Sequence, residues 1–267
     1  MPRNHRLPLL LPGHYQPSSD VMNDMKMYVR DTKKITILSE KRENEIKRYP
    51  TGILSRNRKN GISNETMKIA FVIYDGVTLL DFAGVYDPVT RLVTMGFVPD
   101  LKYHVCARKE QIRTFEGAVI VADTVSPDLG EFDYVIIPGG NGITDLVKDK
   151  TFLSWLAVSP GRTTIAAVCG GALLIGVAGT LSTRRATTHP GLQEVLKRFA
   201  REVLPDRIVE DDHVITAGGV TAAIDMGLYL CEKIAGRVVR IKIQRQMDYP
   251  YYQEHPGSPA KTTGSHP

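Results

Sequence analysis

The stretch Thr163-Thr-Ile-Ala-Ala-Val-Cys169-Gly-Gly-Ala-Leu-Leu-Ile-Gly176 decides the fold. An apolar run rich in strand-forming residues leads into a cysteine, then two glycines, then a run of helix-forming residues. Small residues on both sides of a sharp turn let a strand pass into a helix without a steric clash. The pattern therefore predicts a strand, a turn that carries Cys169, and a helix.

A cysteine at such a turn has two interpretations. Its thiol would face the positive end of the following helix, which favours the thiolate and a role as a nucleophile. A buried cysteine that only fills space is the ordinary fate of this residue type. The two glycines that follow Cys169 favour the nucleophile, and we expect Cys169 to be catalytic.

The region from Thr164 to Leu181 contains no charged residue and is nearly as long as a membrane span. Four glycines interrupt it, and its pattern divides into a strand and a helix. We therefore expect a buried strand in a water-soluble protein with no membrane partner.

Three cysteines, Cys106, Cys169 and Cys231, are too few and too scattered for a disulfide framework. Their use favours a reducing compartment, and we expect a cytoplasmic protein. No Cys-x-x-Cys or His-x-x-x-His spacing occurs, so we expect no metal site.

The basic character of the chain lies in its first part. Residues 1–66 hold 13 Lys/Arg against 7 Asp/Glu, whereas the remaining residues hold 21 against 22. We expect a basic, disordered extension over 1–66, a folded domain over 67–240 and a polar tail over 241–267. The neutral charge balance of the expected domain argues against nucleic acid as a partner.

Between the two tails, apolar strand-like runs alternate with helix-like segments. Alternation of this kind predicts a single doubly wound α/β sandwich with a mostly parallel sheet. The expected strands cover 68–74, 102–107, 118–122, 132–138, the run before Cys169, 207–210 and 213–216, and the expected helices cover 79–94, 143–158, the segment after Cys169, 190–203 and 222–235.

Several polar and glycine residues follow the ends of the predicted strands. In a parallel sheet these ends meet at one edge, where ligands bind. Gly139 and Gly140 form a turn there whose amides could stabilise an oxyanion, although tight turns also use glycine for geometry alone. Asp81 stands alone in an otherwise uncharged stretch, and it predicts either an acid/base carboxylate beside the thiol or a helix cap.

Five segments in one order resemble the ThiJ/PfpI superfamily, which has the class I glutamine amidotransferase fold. The resemblance covers about residues 67–240. The segments around Asp81 and His189 resemble the branch that holds isonitrile hydratases and the sensor domains of AraC-type regulators. The five segments are Met67-Lys-Ile-Ala-Phe, Leu-Leu-Asp81-Phe-Ala-Gly, Ile-Pro-Gly-Gly140, Ala-Val-Cys169-Gly-Gly-Ala and Arg185-Ala-Thr-Thr-His189.

The resemblance implies a role for each matching residue. Cys169 corresponds to the elbow nucleophile and Asp81 to the acidic residue that touches it. The amide of Gly139 or Gly140 would stabilise the oxyanion. Gly170 departs from the family pattern, because isonitrile hydratases commonly have threonine after the cysteine and other branches have histidine.

This departure leaves His189 as the remaining imidazole in the motifs. Its ring could take part in substrate binding, or it could hold the start of a helix.

The resemblance implies a cysteine enzyme that needs no cofactor and acts on a small molecule, with isonitrile hydration as one reaction. Two alternatives are a sensor domain without turnover and a protease- or deglycase-type hydrolase. Sensor domains of regulators are followed by a DNA-binding region of about 100 residues, and none follows here before Pro267, which favours the enzyme. Members of this family often form homodimers, although no apolar stripe in the chain requires one.

Overall fold

The computed structural model describes residues 66–252. The predicted N-terminal extension, apart from residue 66, and the last part of the predicted tail lie outside these residues.

The core of the described part is a seven-stranded sheet with the strand order β10-β11-β7-β6-β1-β2-β5. All neighbouring strands are parallel except β10, which pairs antiparallel with β11 at one edge. The seven strands are β1 (Lys68–Val72), β2 (Lys102–Ala107), β5 (Thr124–Val125), β6 (Tyr134–Ile137), β7 (Thr164–Val168), β10 (Ile208–Asp211) and β11 (Val214–Ala217). Two small ribbons pair β3 (Gln111–Arg113) with β4 (Val119–Val121) and β8 (Arg185–Ala186) with β9 (Glu202–Val203).

Seven α-helices accompany these strands in the described residues. They are α1 (Leu79–Thr94), α2 (Ile143–Leu146), α3 (Lys150–Leu156), α4 (Gly171–Val177), α5 (Gln193–Leu196), α6 (Ala222–Ala235) and α7 (Arg237–Gln246). The two longest, α1 and α6, pack against each other. They approach so closely that a Cβ on Gly84 would lie 2.7 Å from the Cβ of Ala223.

The central strands are buried on both faces, as expected for parallel strands covered by helices on each side. Four of the five residues of β1 and four of the five of β7 are buried. Burial of these apolar runs is the main stabilisation that the sheet provides, because each large aliphatic side chain contributes about 1.5–3 kcal/mol. The predicted α/β class with a mostly parallel sheet is confirmed.

Two predicted helices are shorter than expected. The segment 143–158 divides into α2 and α3, because the Asp149 side chain accepts hydrogen bonds from Thr151 N and Phe152 N and starts a new helix. The segment 190–203 forms only a 3₁₀ turn (Pro190–Leu192) and the four-residue α5, and its end joins the β8–β9 ribbon.

Strands β3, β5 and β8 and helix α7 lie where the sequence analysis placed no helix or strand. Strand β3 pairs with β4 to make a hairpin that the sequence pattern did not indicate. Helix α7 continues past residue 240, where we expected the folded domain to end, and Ile243 is fully buried in the core. The folded part therefore extends beyond the predicted boundary.

No helix between residues 66 and 252 combines the length and the apolar character that crossing a lipid bilayer requires.

Candidate active site

The candidate site lies at the carboxyl edge of the sheet, where the chain changes direction. From β1 the chain first builds β2 and β5 on one side and then β6, β7 and β11 on the other. Ligands of open α/β sheets bind at such a switch point. Asp81 follows β1, Gly139 follows β6 and Cys169 follows β7, so three neighbouring strands bring these residues together.

Cys169 occupies the sharp turn that the sequence predicted. Its φ angle is +53°, a left-handed conformation that costs a non-glycine residue of order 1–3 kcal/mol. Its N–H donates to the carbonyl oxygens of Ala217 (2.9 Å) and Gly218 (3.0 Å), and its carbonyl accepts from the Thr188 hydroxyl (2.7 Å). These bonds hold the strained turn in place.

Gly171 begins α4 directly against the end of β6. A Cβ at this position would lie 2.3 Å from the carbonyl oxygen of Ile137, well inside contact distance. Only glycine lets the helix start this close to the neighbouring strand, and this approach brings the cysteine turn beside Gly139.

The backbone of Gly139 lies beside Asp81, Cys169 and Gly170. A Cβ on Gly139 would lie 2.5 Å from Gly170 N, 2.8 Å from Asp81 Oδ2 and 3.0 Å from Cys169 Cβ. The carboxylate, the cysteine and the amide after it therefore pack directly against the Gly139 backbone. Any side chain at 139 would push these groups apart.

Asp81 is fully buried, and its Oδ2 accepts a hydrogen bond from Gly139 N (3.1 Å). Burial raises the pKa of Asp81 to about 6, against smaller lowering effects of Cys169 and the Gly139 amide, while the charge of Glu116 adds to the increase. Its other oxygen, Oδ1, has no hydrogen-bond partner among residues 66–252.

The Cys169 thiol is partly buried, and its pKa is raised to about 12. Burial is the first cause and the negative charge of Asp81 the second, while the Gly170 N–H favours the thiolate. The amide at the start of the helix does favour the thiolate, but burial and the charge of Asp81 outweigh its effect on the pKa. At neutral pH the pair rests as a thiol beside a largely ionised carboxylate.

The Gly139 amide donates to Asp81 Oδ2, and its role as an oxyanion donor stays a prediction. The Gly170 amide instead points to the cysteine side chain, as its effect on the thiol shows. Gly140 has a φ angle of +142° and bridges to Val77, and a Cβ there would lie 2.3 Å from Gly76 O. Gly140 therefore shapes the turn that carries Gly139.

His189 lies near the elbow but binds its own turn. Its Nδ1 accepts from Gly191 N (3.1 Å) and caps the 3₁₀ turn, while its ring edge packs at Gly219. The neighbouring Thr188, rather than His189, supports the cysteine turn directly. This geometry agrees with the structural interpretation of His189.

The space above Gly170 is filled by hydrocarbon. A Cβ on Gly170 would lie 2.5 Å from Ile143 Cδ1 and 3.5 Å from Leu192 Cδ1. Ile143 thus occupies the place that a side chain after the cysteine would take. The wall of the site beside the thiol is apolar where a threonine would supply a hydroxyl.

Two residues at the site were not found from the sequence. Tyr74 is buried beyond the end of β1, and its hydroxyl donates to Pro138 O (2.7 Å), which braces the turn before Gly139. Burial raises its pKa well above the usual range, and the charges of Asp81 and Cys169 add to this. Tyr74 ends an apolar strand-like run at the ligand edge, and Thr188 belongs to the segment Arg185-Ala-Thr-Thr-His189, so each had a signal that could have identified it.

Within the described range, no three His, Cys, Asp or Glu side chains come together in a way that could hold a metal ion.

A cysteine on a strand-to-helix elbow, beside a buried carboxylate at the switch point of a mostly parallel sheet, defines a class of α/β-sandwich proteins. The sequence profile of the DJ-1/PfpI family matches residues 67–233, which is more than half of the chain. The chain therefore belongs to the DJ-1/PfpI family.

Curated and solved relatives agree with this assignment. The isonitrile hydratase of Pseudomonas putida is 30% identical over 185 residues, covering 68% of this chain and 78% of that protein. Protein DJ-1alpha of Drosophila melanogaster is 25% identical over 223 residues, covering 77% and 96%. A ThiJ/PfpI family protein from Pseudomonas syringae has the same fold, with a TM-score of 0.63, 24% identity and coverage of 76% and 86%.

The three cysteines should differ in reactivity. Cys106 and Cys231 are fully buried, and burial raises the pKa of each thiol, to about 12 for Cys106. Iodoacetamide at neutral pH should therefore label Cys169 first, as peptide mass spectrometry would show. Equal labelling of all three cysteines in the folded protein would contradict this exposure pattern.

Replacing Asp81 with asparagine should stabilise the protein at neutral pH. A carboxyl whose pKa rises from 3.8 to about 6 on folding destabilises the fold when ionised, by up to about 3 kcal/mol. In urea unfolding, the gain of Asp81→Asn should be present at pH 7, shrink below pH 6 and vanish near pH 3.8. Asp87→Asn, on the exposed side of the same helix, should give no such gain; a gain in Asp81→Asn that is independent of pH would refute the assignment.

Proposed function

We propose that this protein is a cysteine enzyme that adds its thiol to a small electrophilic carbon and then hydrates the product, with an isonitrile as substrate. Asp81 moves the protons, and Cys169 forms the covalent bond. The reaction needs no organic cofactor.

The observation that carries the proposal is the close packing of Asp81, Cys169 and Gly170 against Gly139. Asp81 Oδ2, Cys169 Cβ and Gly170 N all lie within 3.0 Å of one point there. A buried acid with a pKa of about 6 can both accept and return a proton near neutral pH, which general acid–base catalysis requires. The thiol rests protonated, so its activation needs a base, and Asp81 is the adjacent one.

The proposed reaction begins when the thiol proton moves to Asp81. The Cys169 sulfur then forms a bond to the terminal carbon of the isonitrile, and Asp81 returns the proton to that carbon, which gives a thioimidate. The N–H of Gly170 stabilises negative charge at sulfur as it develops.

Water completes the proposed reaction. Asp81 takes a proton from a water molecule as the oxygen of that water bonds to the thioimidate carbon. Asp81 then passes the proton to the nitrogen of the former isonitrile. The carbon–sulfur bond then breaks, and the proton of the newly added hydroxyl group passes to the sulfur. An N-substituted formamide leaves. The burial of Asp81 suits this series of proton transfers, because bulk water would compete for each of them.

The isonitrile hydratase relative supports the choice of substrate. The apolar wall formed by Ile143 and Leu192 fits a reacting group without hydrogen-bonding atoms, such as a small alkyl isonitrile. A second candidate is a binding domain without turnover, which the high pKa of the Cys169 thiol favours. Turnover decides between the two.

A substrate panel tests the proposal directly. Wild type and Cys169→Ala would be assayed with an alkyl isonitrile, methylglyoxal and a casein peptide. We expect formamide from the isonitrile with wild type only, and a loss of at least about 10³-fold with Cys169→Ala, because the covalent step disappears. Saturable isonitrile binding without formamide would favour the binding domain, and turnover of either other substrate alone would overturn the isonitrile assignment.

Gly170 and Ile143 should behave as a pair. Gly170→Thr places a Cβ 2.5 Å from Ile143 Cδ1, so we expect lower stability by about 1–3 kcal/mol and loss of activity. Adding Ile143→Val removes Cδ1 and should restore much of both. Leu192→Val is the matched control, because Leu192 Cδ1 is at an ordinary contact distance of 3.5 Å; equal rescue by both valines would show that the Ile143 contact is not specific.

A further inference from the structure

The first turn of α1 is capped by a residue from a distant part of the chain. Leu79 N, the first helical amide, donates to Glu116 Oε2 at 3.0 Å. Thr78 stands at the N-cap position, yet its side chain makes no capping hydrogen bond. Glu116 belongs to the turn between β3 and β4 and lies 37 residues further along the chain.

The turn of this hairpin is held firmly against the loop before α1. Arg113 O accepts from Gly76 N (2.8 Å), and Phe115 N donates to Val77 O (2.8 Å). The Asp75 side chain also accepts from Arg113 N (2.9 Å). These bonds fix the backbone that leads into Glu116, and the bond from Leu79 N then holds its exposed carboxylate at the helix start.

Asp81 is the third residue of α1, a position from which an acidic side chain often bonds back to the N-cap amide. Here that amide, Thr78 N, donates to Gly139 O (3.0 Å). The Asp81 carboxylate instead accepts from Gly139 N and faces Cys169. The Asp81 carboxylate therefore makes no capping bond to the N-cap amide and lies beside Cys169.

We propose that Glu116 is a positioning residue for the site: it caps the first amide of α1, the helix that carries Asp81, and its negative charge acts on the Asp81 carboxyl. The inference concerns the same Asp81–Cys169 pair as the proposed function, but it makes no assumption about the substrate.

The charges around Asp81 agree with this role. Glu116 raises the pKa of Asp81, although burial is the larger cause. Among the described residues, the other titratable groups that interact with Asp81 are Cys169 from the elbow and Tyr74 from the end of β1. The buried acids of α6, which packs on α1, are paired with arginines: Asp225 with Arg207 and Glu232 with Arg240.

The test measures the alkylation rate of Cys169 by iodoacetamide against pH, with intact-mass detection and no substrate. Ionisation of Asp81 disfavours the thiolate, so the logarithm of the rate should rise with pH and flatten at a break near pH 6. Asp81→Asn should remove the break, which identifies its origin.

Glu116→Gln keeps an oxygen for the cap and removes the charge. We expect the break to move to lower pH at low salt, and to move by less at 1 M salt, because salt screens the interaction between the two carboxyl groups. Glu116→Ala should show the same shift and also melt a few degrees lower, since the cap is lost. Glu110→Gln, another exposed carboxylate on the same hairpin, is the matched control and should leave both the break and the melting temperature unchanged.

A break that stays in place in Glu116→Gln, or moves equally in Glu110→Gln, would overturn the electrostatic role. An unchanged melting temperature in Glu116→Ala would overturn the capping role. A wild-type profile without a break would overturn the coupling itself. Because no turnover is measured, each of these results is independent of whether the isonitrile proposal holds.

Discussion

The close approach of the Gly139 backbone to the cysteine elbow is the constraint on which the site depends. Gly171 lets α4 start against the end of β6. Because Gly139 has no side chain, Asp81 Oδ2, Cys169 Cβ and Gly170 N can all pack against its backbone. A methyl group at either glycine would separate strands β6 and β7 at their carboxyl ends. The reactive groups are therefore positioned by missing side chains as much as by those present, and two short backbone contacts determine whether the thiol and the carboxylate meet.

Burial, rather than the helix dipole, sets the protonation states. The helix after Cys169 is only seven residues long, and the thiol is partly removed from water and lies beside a negative charge. The pKa of both groups is therefore raised, to about 6 for the carboxyl of Asp81 and to about 12 for the thiol of Cys169. The resting pair holds a proton on sulfur that can move to the neighbouring oxygen, and the same enclosure that makes Asp81 a useful acid lowers the stability of the fold at neutral pH.

The parts of the fold that depend on local patterns could be predicted from the sequence. Helix α1, the strand before Cys169 and the glycine turn after β6 follow from apolar runs and small residues near one another in the chain. What the sequence did not reveal depends on contacts between distant residues. The Gly139 amide is taken by Asp81, the cap of α1 comes from Glu116, and the side chain absent at Gly170 is replaced in space by Ile143. No spacing in the chain reports such partners, because they are set by packing.

The hairpin formed by β3 and β4 has a consequence for the movements of the site. Its turn is bonded to the loop and first turn that hold Asp81, so an opening of the hairpin would let water reach that carboxyl. A carboxyl that binds its proton more tightly when enclosed than when wet releases it on opening. For Asp81 taken alone, local opening therefore releases a proton between pH 3.8 and about 6, whereas Asp75 and Glu116 at the same contact, whose pKa values are lowered in the closed form, take up protons on opening.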